Sequence, residues 1–424
     1  MVRLQMQRRQ LSPELVDSFY LVVLQGVNKL LPLFVLPWLM QKLGAGGYGY
    51  VGFALSVVQY IALIVDFGFD LSATKRVAVV RDNRDLLTRT FWAVVWAKTL
   101  LLLASVLFVL LLIAFVPTFR SYGWAILFTL PMAVGSAYTF MWMFQGIGKV
   151  RLIALMNTAS KLLLLPLIFL LVRTPDDYLL AALLQSLVFL LTAVVSCLWL
   201  WRHRVVDSPV FLLADMKREV KDSLPLFLSR ASTSVYTQLF VIILGFFCTR
   251  EAVGRYTSAE TVMRALCFVL YIPVTQAFFP RISALSEANR PLAITTFGKV
   301  RWLVLGAMSV VTLALFVSAP YVVAFLGADY AGLDVLLRVM AFTPIFIGVG
   351  AVYGQMGLVA LGDGTTRKHF RNVYFIVALV SLVLVSVLTP LYLERGAAIA
   401  LFLSELLVML LMFYYCQKSR VLTS

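Results

Sequence analysis

The sequence predicts an all-α integral membrane protein of twelve transmembrane helices, arranged as two repeated halves around a hydrated cavity. Three observations carry this reading. Mean hydropathy is +0.94. The chain divides into twelve windows of membrane-spanning length. Lys and Arg alternate in density from one connection to the next. Of 424 residues, 62% are hydrophobic and only 13% are charged, too few polar groups to cover a water-soluble surface of this size.

A helix needs about 20 apolar residues to cross the hydrocarbon core. The first window, 16–40, is proline-bearing and holds Lys29. It is full length and follows a basic start, MVRLQMQRRQLSPE, so it reads as a retained signal anchor. The glycine-rich turn LGAGGYG (43–49) leads into 48–71. The stretch KRVAVVRDNRDLL (75–87) fits either a basic amphipathic helix on the leaflet or a solvated loop. Windows 88–115, 123–145, 152–172 and 178–201 complete the first half. The second half reads as 223–247, 255–279, 300–326, 333–360, 370–391 and 396–416. Gly350-x-x-x-Gly354 within the tenth is a small-residue contact for helix packing. The longest connections, 70–88, 202–222 and 280–299, are too short to build a soluble core.

With the N-terminus placed in the cytoplasm, 24 of the 36 Lys and Arg residues fall on that side, six on the opposite side and six within spans. Basic loops resist translocation, so this bias sets both termini inside. It also accounts for the net charge of +16 without nucleic acid as a partner.

Other chemistry finds little support. Cys197, Cys248, Cys267 and Cys416 are far apart and form no CxxC, so neither a zinc site nor a redox motif is expected. His203 and His369 lie in basic connecting segments and read as solvated. No G-x-x-x-x-G-K-[ST] loop occurs, so no ATPase and no cofactor is expected.

The in-span charges are the candidate functional residues. A cation at bilayer depth costs at least about 2.5–3.5 kcal/mol. Six occur here: Lys29, Lys98, Lys161, Arg230, Arg264 and Arg338. The in-span acids read from the windows are Asp66, Glu260 and Glu405. Polar neighbours follow helical spacing. Gln25, Asn28, Lys29 and Pro32 share one face; Asn157, Ser160 and Lys161 share another. Arg230, Thr233, Ser234 and Thr237 form a third stripe, and Thr257, Glu260, Thr261 and Arg264 a fourth. Such faces look into the protein or a wet cavity. A surplus of cations over acids points to an anionic substrate, bound by Gln25, Asn28, Lys29, Lys98, Asn157, Lys161, Arg230 and Arg264. Private ion pairs across helices, and mutual neutralisation of Glu260 and Arg264, are the alternative reading that sequence leaves open. Pro32 and Pro37 kink the first helix or let it bend.

The segment 252–283 echoes 46–76: each has Gly and Tyr at the helix start, a long span and a basic exit. Six spans per half would give both halves the same orientation, a parallel pseudo-twofold repeat about the membrane normal. The halves are placed at 1–206 and 207–424.

The block LPLFVLPWLMQKLGAGGYGYVGFALSVVQYIALIVDFGFDLSATKRVAVVRDNRD (31–85) resembles the Wzx-type oligosaccharide flippases. These form the O-antigen and exopolysaccharide branch of the multidrug/oligosaccharidyl-lipid/polysaccharide exporter superfamily. A proline-bearing first span, the Leu-Gly…Tyr-Gly turn, and Asp-Phe-Gly-Phe before Leu-Ser-Ala-Thr-Lys-Arg carry the resemblance. It implies two six-helix bundles in a V around a central cavity, in the bacterial inner membrane. It implies movement of an undecaprenyl-diphosphate-linked oligosaccharide from the cytoplasmic to the periplasmic leaflet, for O-antigen, capsule or exopolysaccharide assembly. The diphosphate would be the anion held by the cavity cations, the lipid tail would stay in the bilayer, and a polymerase of the same pathway would be a partner. With no nucleotide site, a proton or sodium gradient would supply energy, through Asp66, Glu260 or Glu405, Glu260 being the leading titrating candidate.

Two other readings compete. A cation-coupled drug antiporter shares the fold, but a cation-lined cavity repels the cationic compounds such proteins usually expel. A membrane polymerase or transferase would need catalytic residues in a sizeable loop, and the outward connections here are only a few residues long. The chain is therefore expected not to be an enzyme.

Overall fold

The computed structural model describes the backbone of residues 13–422 and the side chains of 31–422, apart from those of 229, 232, 233 and 235–237. All regular structure among the described residues is helical. The helices are α1 (Pro13–Asp66), α2 (Phe69–Val80), α3 (Arg84–Phe115), α4 (Pro117–Ser121), α5 (Gly123–Thr129), α6 (Pro131–Tyr138), α7 (Met141–Gly146) and α8 (Val150–Leu171). There follow α9 (Tyr178–Arg202), α10 (Leu213–Phe247), α11 (Arg250–Ala288), α12 (Arg290–Leu326), α13 (Leu333–Met340), α14 (Thr343–Ala351), a π-helical stretch (Val352–Leu361) and α15 (Gly364–Lys418). Among the described residues, nine helices are long and apolar enough to cross a membrane.

Local chemistry sets the boundaries. Asn83, Thr249, Asn289 and Asp363 cap the starts of α3, α11, α12 and α15, each side chain accepting a hydrogen bond from a first-turn backbone N–H. Gly44 (φ 63°, ψ 178°) turns α1 between its two arms, 16–40 and 48–71 in the sequence reading. That backbone conformation favours glycine. Leu393 (φ 54°, ψ −136°), three residues after Pro390, divides α15 in the same way.

Four windows differ in detail: 223–247 lies in α10, which is not among the nine and whose apolar stretch among the described residues is the shorter Gln238–Phe247. The second arm of α1 stops at Asp66, because Phe67 and Gly68 have positive φ, and α2 restarts at Phe69. Most of the 75–87 stretch is therefore helical. It ends α2, turns over Arg81–Asn83 and opens α3, with Ala73 and Val77 of α2 buried. The 123–145 window is three short helices, interrupted at Pro131 and at Phe140 (φ 53°). The 333–360 window breaks at Ala341–Phe342, just before Pro344 in the first turn of α14, and widens into the π-helical stretch.

The largest apolar core joins residues from both halves, including Leu39, Val51 and Phe53 of α1 with Tyr256 and Met263 of α11 and Leu401 of α15. Smaller cores surround Phe297, Met308 and Met412 in the second half and Phe69, Trp142 and Phe144 in the first. Elsewhere large apolar side chains face outward at helical spacing, as with Leu100, Leu103, Leu107 and Leu111 of α3. A lipid-facing surface has this composition, since hydrocarbon needs no polar cover. Gly350 and Gly354 face Met409, and Phe370 with Met412, of α15, as their spacing anticipates.

The most extensive helix contact is between α1 and α11. It is made backbone to backbone: a Cβ on Gly49 would collide with the Arg250 carbonyl, and a Cβ on Gly254 with the Ala45 carbonyl. Tyr330 reinforces this end by donating its hydroxyl hydrogen bond to the Met40 carbonyl at 2.9 Å. Gly254→Ala should therefore destabilise the protein by about 1–3 kcal/mol, the usual range for overpacking. Gly306→Ala, at a position with open space around it, should melt at or above the parent temperature. Thermal unfolding of the purified protein in detergent checks both; equal melting of Gly254→Ala and parent would remove the close-contact argument.

Candidate functional site

Lys98 lies on α3 and is only 2% exposed. Its Nζ donates to Asp66 Oδ1 at 2.9 Å. Asp66 is the last residue of α1, carried inward by the helix that ends there. The Ser136 hydroxyl of α6 stands 3.4 Å from both Asp66 carboxylate oxygens. One carboxylate thus ties three helices. A buried charge without such a partner would be strongly unfavourable.

One turn further, Asp70 in the first turn of α2 accepts from Arg230 Nη1 of α10 at 2.9 Å. Lys98 and Arg230, both expected substrate ligands, are therefore each held by an acid, and the two acids are four residues apart. The sequence reading missed Asp70. Its signal was present as the second acid of Asp-Phe-Gly-Phe-Asp (66–70).

A second node lies between α11 and the second arm of α15. Arg264 Nε donates to Glu260 Oε1 at 2.8 Å, and its Nη1 is 3.8 Å from Glu405 Oε1. Both carboxylates are buried. The buried hydroxyl of Tyr256 accompanies them, one turn before Glu260 on α11. Two carboxylates facing one guanidinium leave one negative charge in excess if all three are ionised. Lys161 and Asn157 share a half-buried face of α8, which packs against α1 and α9. Among the described residues, the buried Asn157 Oδ1 has no hydrogen-bond partner. Gln25, Asn28 and Lys29 fall on the first arm of α1, and their side chains lie outside the described residues, as do those of Thr233 and Thr237. Arg338 is exposed at the end of its helix, its guanidinium 5.7 Å from the Phe316 ring centre.

The start of α10 is strapped across α2 and α3 by charge. Asp207 takes Arg84 at 2.6 and 3.0 Å, and Asp215 takes Arg89 at 2.9 Å. Arg76 meets both Glu219 at 2.9 Å and Asp222 at 2.6 Å. The indoles of Trp92 and Trp96 donate to the carbonyls of Asp207 and Val210. Ser72 and Ser223 hydroxyls meet at 2.6 Å, and the Phe67 ring stacks on Phe227. Burial pushes the Glu219 carboxyl above its ordinary range, while Arg76 and Arg218 pull it back. Each acid of 207–222 thus answers an arginine of the first half, and the strap delivers Arg230 to Asp70. Among the described residues, no group of three or more His, Cys, Asp or Glu is placed to hold a metal ion.

A family model described as "Polysaccharide biosynthesis protein" matches residues 15–286. The chain is 31% identical over 410 residues to a protein of Escherichia coli (strain K12) named "Putative O-antigen transporter", covering 96% of this chain and 97% of that one. Among solved structures it is similar to the lipid II flippase MurJ in an inward closed conformation. The TM-score is 0.73 at 14% identity, over 93% of this chain and 86% of that one. It is also similar to an inward-facing MATE family multidrug transporter of the MOP superfamily. There the TM-score is 0.70 at 15% identity, over 95% and 98%. At such identities the structural likeness is one of fold.

The Asp66–Lys98 pair generates a double-mutant prediction. Lys98→Met or Asp66→Asn alone should cost about 3–5 kcal/mol, because each strands a buried charge. The double variant should recover much of that loss. Additive losses in thermal unfolding would show that the two side chains do not act as a pair.

Proposed function

The chain belongs to the polysaccharide biosynthesis protein family, and we propose that it is a flippase carrying a lipid-linked oligosaccharide across the bacterial inner membrane. It is a transporter and not an enzyme. The carrying observation is the near full-length match, at 31% identity, to a protein named as an O-antigen transporter. The substrate of the proposal is an undecaprenyl-diphosphate-linked repeat unit, moved from the cytoplasmic to the periplasmic leaflet for O-antigen, capsule or exopolysaccharide assembly. A polymerase of the same pathway would receive it.

Dividing α1 and α15 at their kinks and adding α10 gives twelve crossings, six in 1–206 and six in 207–424. This supports two bundles in parallel repeat around a central cavity, with both termini cytoplasmic. Alternating access would open that cavity to one leaflet and then the other. The diphosphate would be drawn by Lys29 and Lys161, with Gln25, Asn28 and Asn157 bonding phosphate or sugar. Lys98, Arg230 and Arg264 would join them. Each starts in an ion pair with Asp66, Asp70 or Glu260, so a diphosphate would bind them by exchange with a carboxylate. Release of those acids supplies a natural coupling step: Asp66, Glu260 or Glu405 would take up a proton or sodium ion when its cation turns to substrate. A drug antiporter shares the fold, but these cations disfavour cationic cargo.

In a flippase-deleted strain that makes a surface polysaccharide, the parent chain should restore surface polymer. Lys29→Ala, Lys161→Ala and Arg264→Ala, at matched membrane levels, should lower it by about ten-fold or more, the effect of losing roughly 1.4 kcal/mol of substrate interaction. Full activity of all three would make the cations structural, and failure of the parent would overturn the flippase reading. Vesicle flux undiminished by gradient collapse would remove the coupling step.

A further inference from the structure

A cleft of about 510 Å³ opens where the α2–α3 turn, the α7–α8 turn and the end of α9 meet. Four cations line it: Arg81 and Arg84 from the first segment, Lys149 from the second and Arg204 from the third. No single helix face could present this set, because it comes from three separate parts of the chain. The backbone is held to make it. Arg204 has φ 47°, a left-handed conformation unusual for a non-glycine residue. Its carbonyl accepts from Arg84 Nη2 at 3.3 Å. Gly148 (φ 75°) turns the chain into Lys149, whose N–H is fixed on the Phe144 carbonyl at 2.7 Å.

Charge in the cleft is incompletely answered. Arg84 is taken by Asp207, and Arg81 lies 3.8 Å from Asp82. Lys149 sits 4.5 Å over the Trp199 ring, a contact that orients the ammonium without neutralising it. No acid among the described residues forms an ion pair with Lys149 or Arg204. Close by in the chain, Trp201, three residues before Arg204, is 80% exposed, and Phe211, seven residues after it, is 58% exposed. Exposed aromatic rings beside cations mark the headgroup level of a bilayer, where anionic lipids attract such groups.

We propose that this cleft binds the phosphate headgroup of an anionic lipid of the cytoplasmic leaflet. Its ligand chemistry is a phosphate anion carried on a membrane-embedded tail, with Lys149 and Arg204 as the principal contacts and Arg81 at the edge. The site is distinct from the in-span nodes and does not depend on the proposed cargo.

The test uses the purified full chain in detergent, with native mass spectrometry reading retained lipid. Phosphatidylglycerol and the zwitterionic phosphatidylcholine are the lipid probes, and inorganic diphosphate is the competitor. The parent should retain phosphatidylglycerol over phosphatidylcholine. Lys149→Gln/Arg204→Gln should bind it about ten-fold more weakly, on the scale of charge–headgroup attraction. Arg81→Gln should weaken it less. Lys368→Gln/Arg371→Gln removes the same charge from another basic connection and should leave retention unchanged. Melting temperatures establish that each variant is folded, and should the double variant unfold, Arg81→Gln carries the comparison. Displacement of bound phosphatidylglycerol by diphosphate supports recognition through phosphate. Diphosphate binding without lipid preference overturns the lipid assignment. Equal loss in the cleft and control variants overturns the site.

Discussion

A charge inside a bilayer must find an opposite charge or water, and this constraint organises the interior. Lys98 and Asp66 satisfy each other across α1 and α3, and Ser136 brings in α6. Asp66 is the last residue of its helix. The break at Phe67 and Gly68 follows, and with it the direction of α2. Asp70 then lies within reach of α10, the first long helix of the second half. The buried pair, the break after it and the Asp70–Arg230 pair thus fall within residues 66–70 and together join α1, α2, α3, α6 and α10.

The two halves are joined by contacts of opposite physical character. Between α1 and α11 the join is close backbone packing at Gly49 and Gly254, backed by a large apolar core. Such packing is lost abruptly with distance, because dispersion decays over fractions of an ångström. Across α2, α3 and α10 the join is a strap of arginine–carboxylate pairs, several of them half-exposed. Ion pairs in contact with water exchange partners at small net cost. The first join suits an element that is either closed or open. The second can yield gradually, with Pro225 inside α10 just beyond it.

The fold was legible because hydrophobic length and loop charge are local properties. Windows of apolar residues matched helices nearly throughout. Departures fell where one residue overrides a window: Pro131, Phe140 and Pro344, or the positive-φ pair Phe67 and Gly68. The charge nodes were legible only in part. Glu260 and Arg264 are four residues apart on one helix and were seen as a pair. Lys98 and Asp66 are 32 residues apart, and Arg230 and Asp70 are 160 apart. Helical spacing cannot register such partners. The strap acids were obscured for another reason: 202–222 was weighed by its cations, which set topology, while its acids carry the tertiary contacts.

This pairing changes what the in-span cations can do. A cavity lined by free cations would bind a diphosphate tightly and release it poorly, since nothing would compete for the vacated charges. Cations that begin in ion pairs pose a different equilibrium. On the proposed reading the substrate would have to displace a carboxylate, so its net binding would be the difference between two strong interactions. The displaced carboxylate would be left in a poorly hydrated place, where neutralisation by a proton or metal cation would become favourable. Exchange of this kind would link an anionic cargo to a cation gradient with no nucleotide chemistry. It asks only that acid and base sit on helices able to separate, and Asp70 with Arg230 joins a helix of one half to a helix of the other.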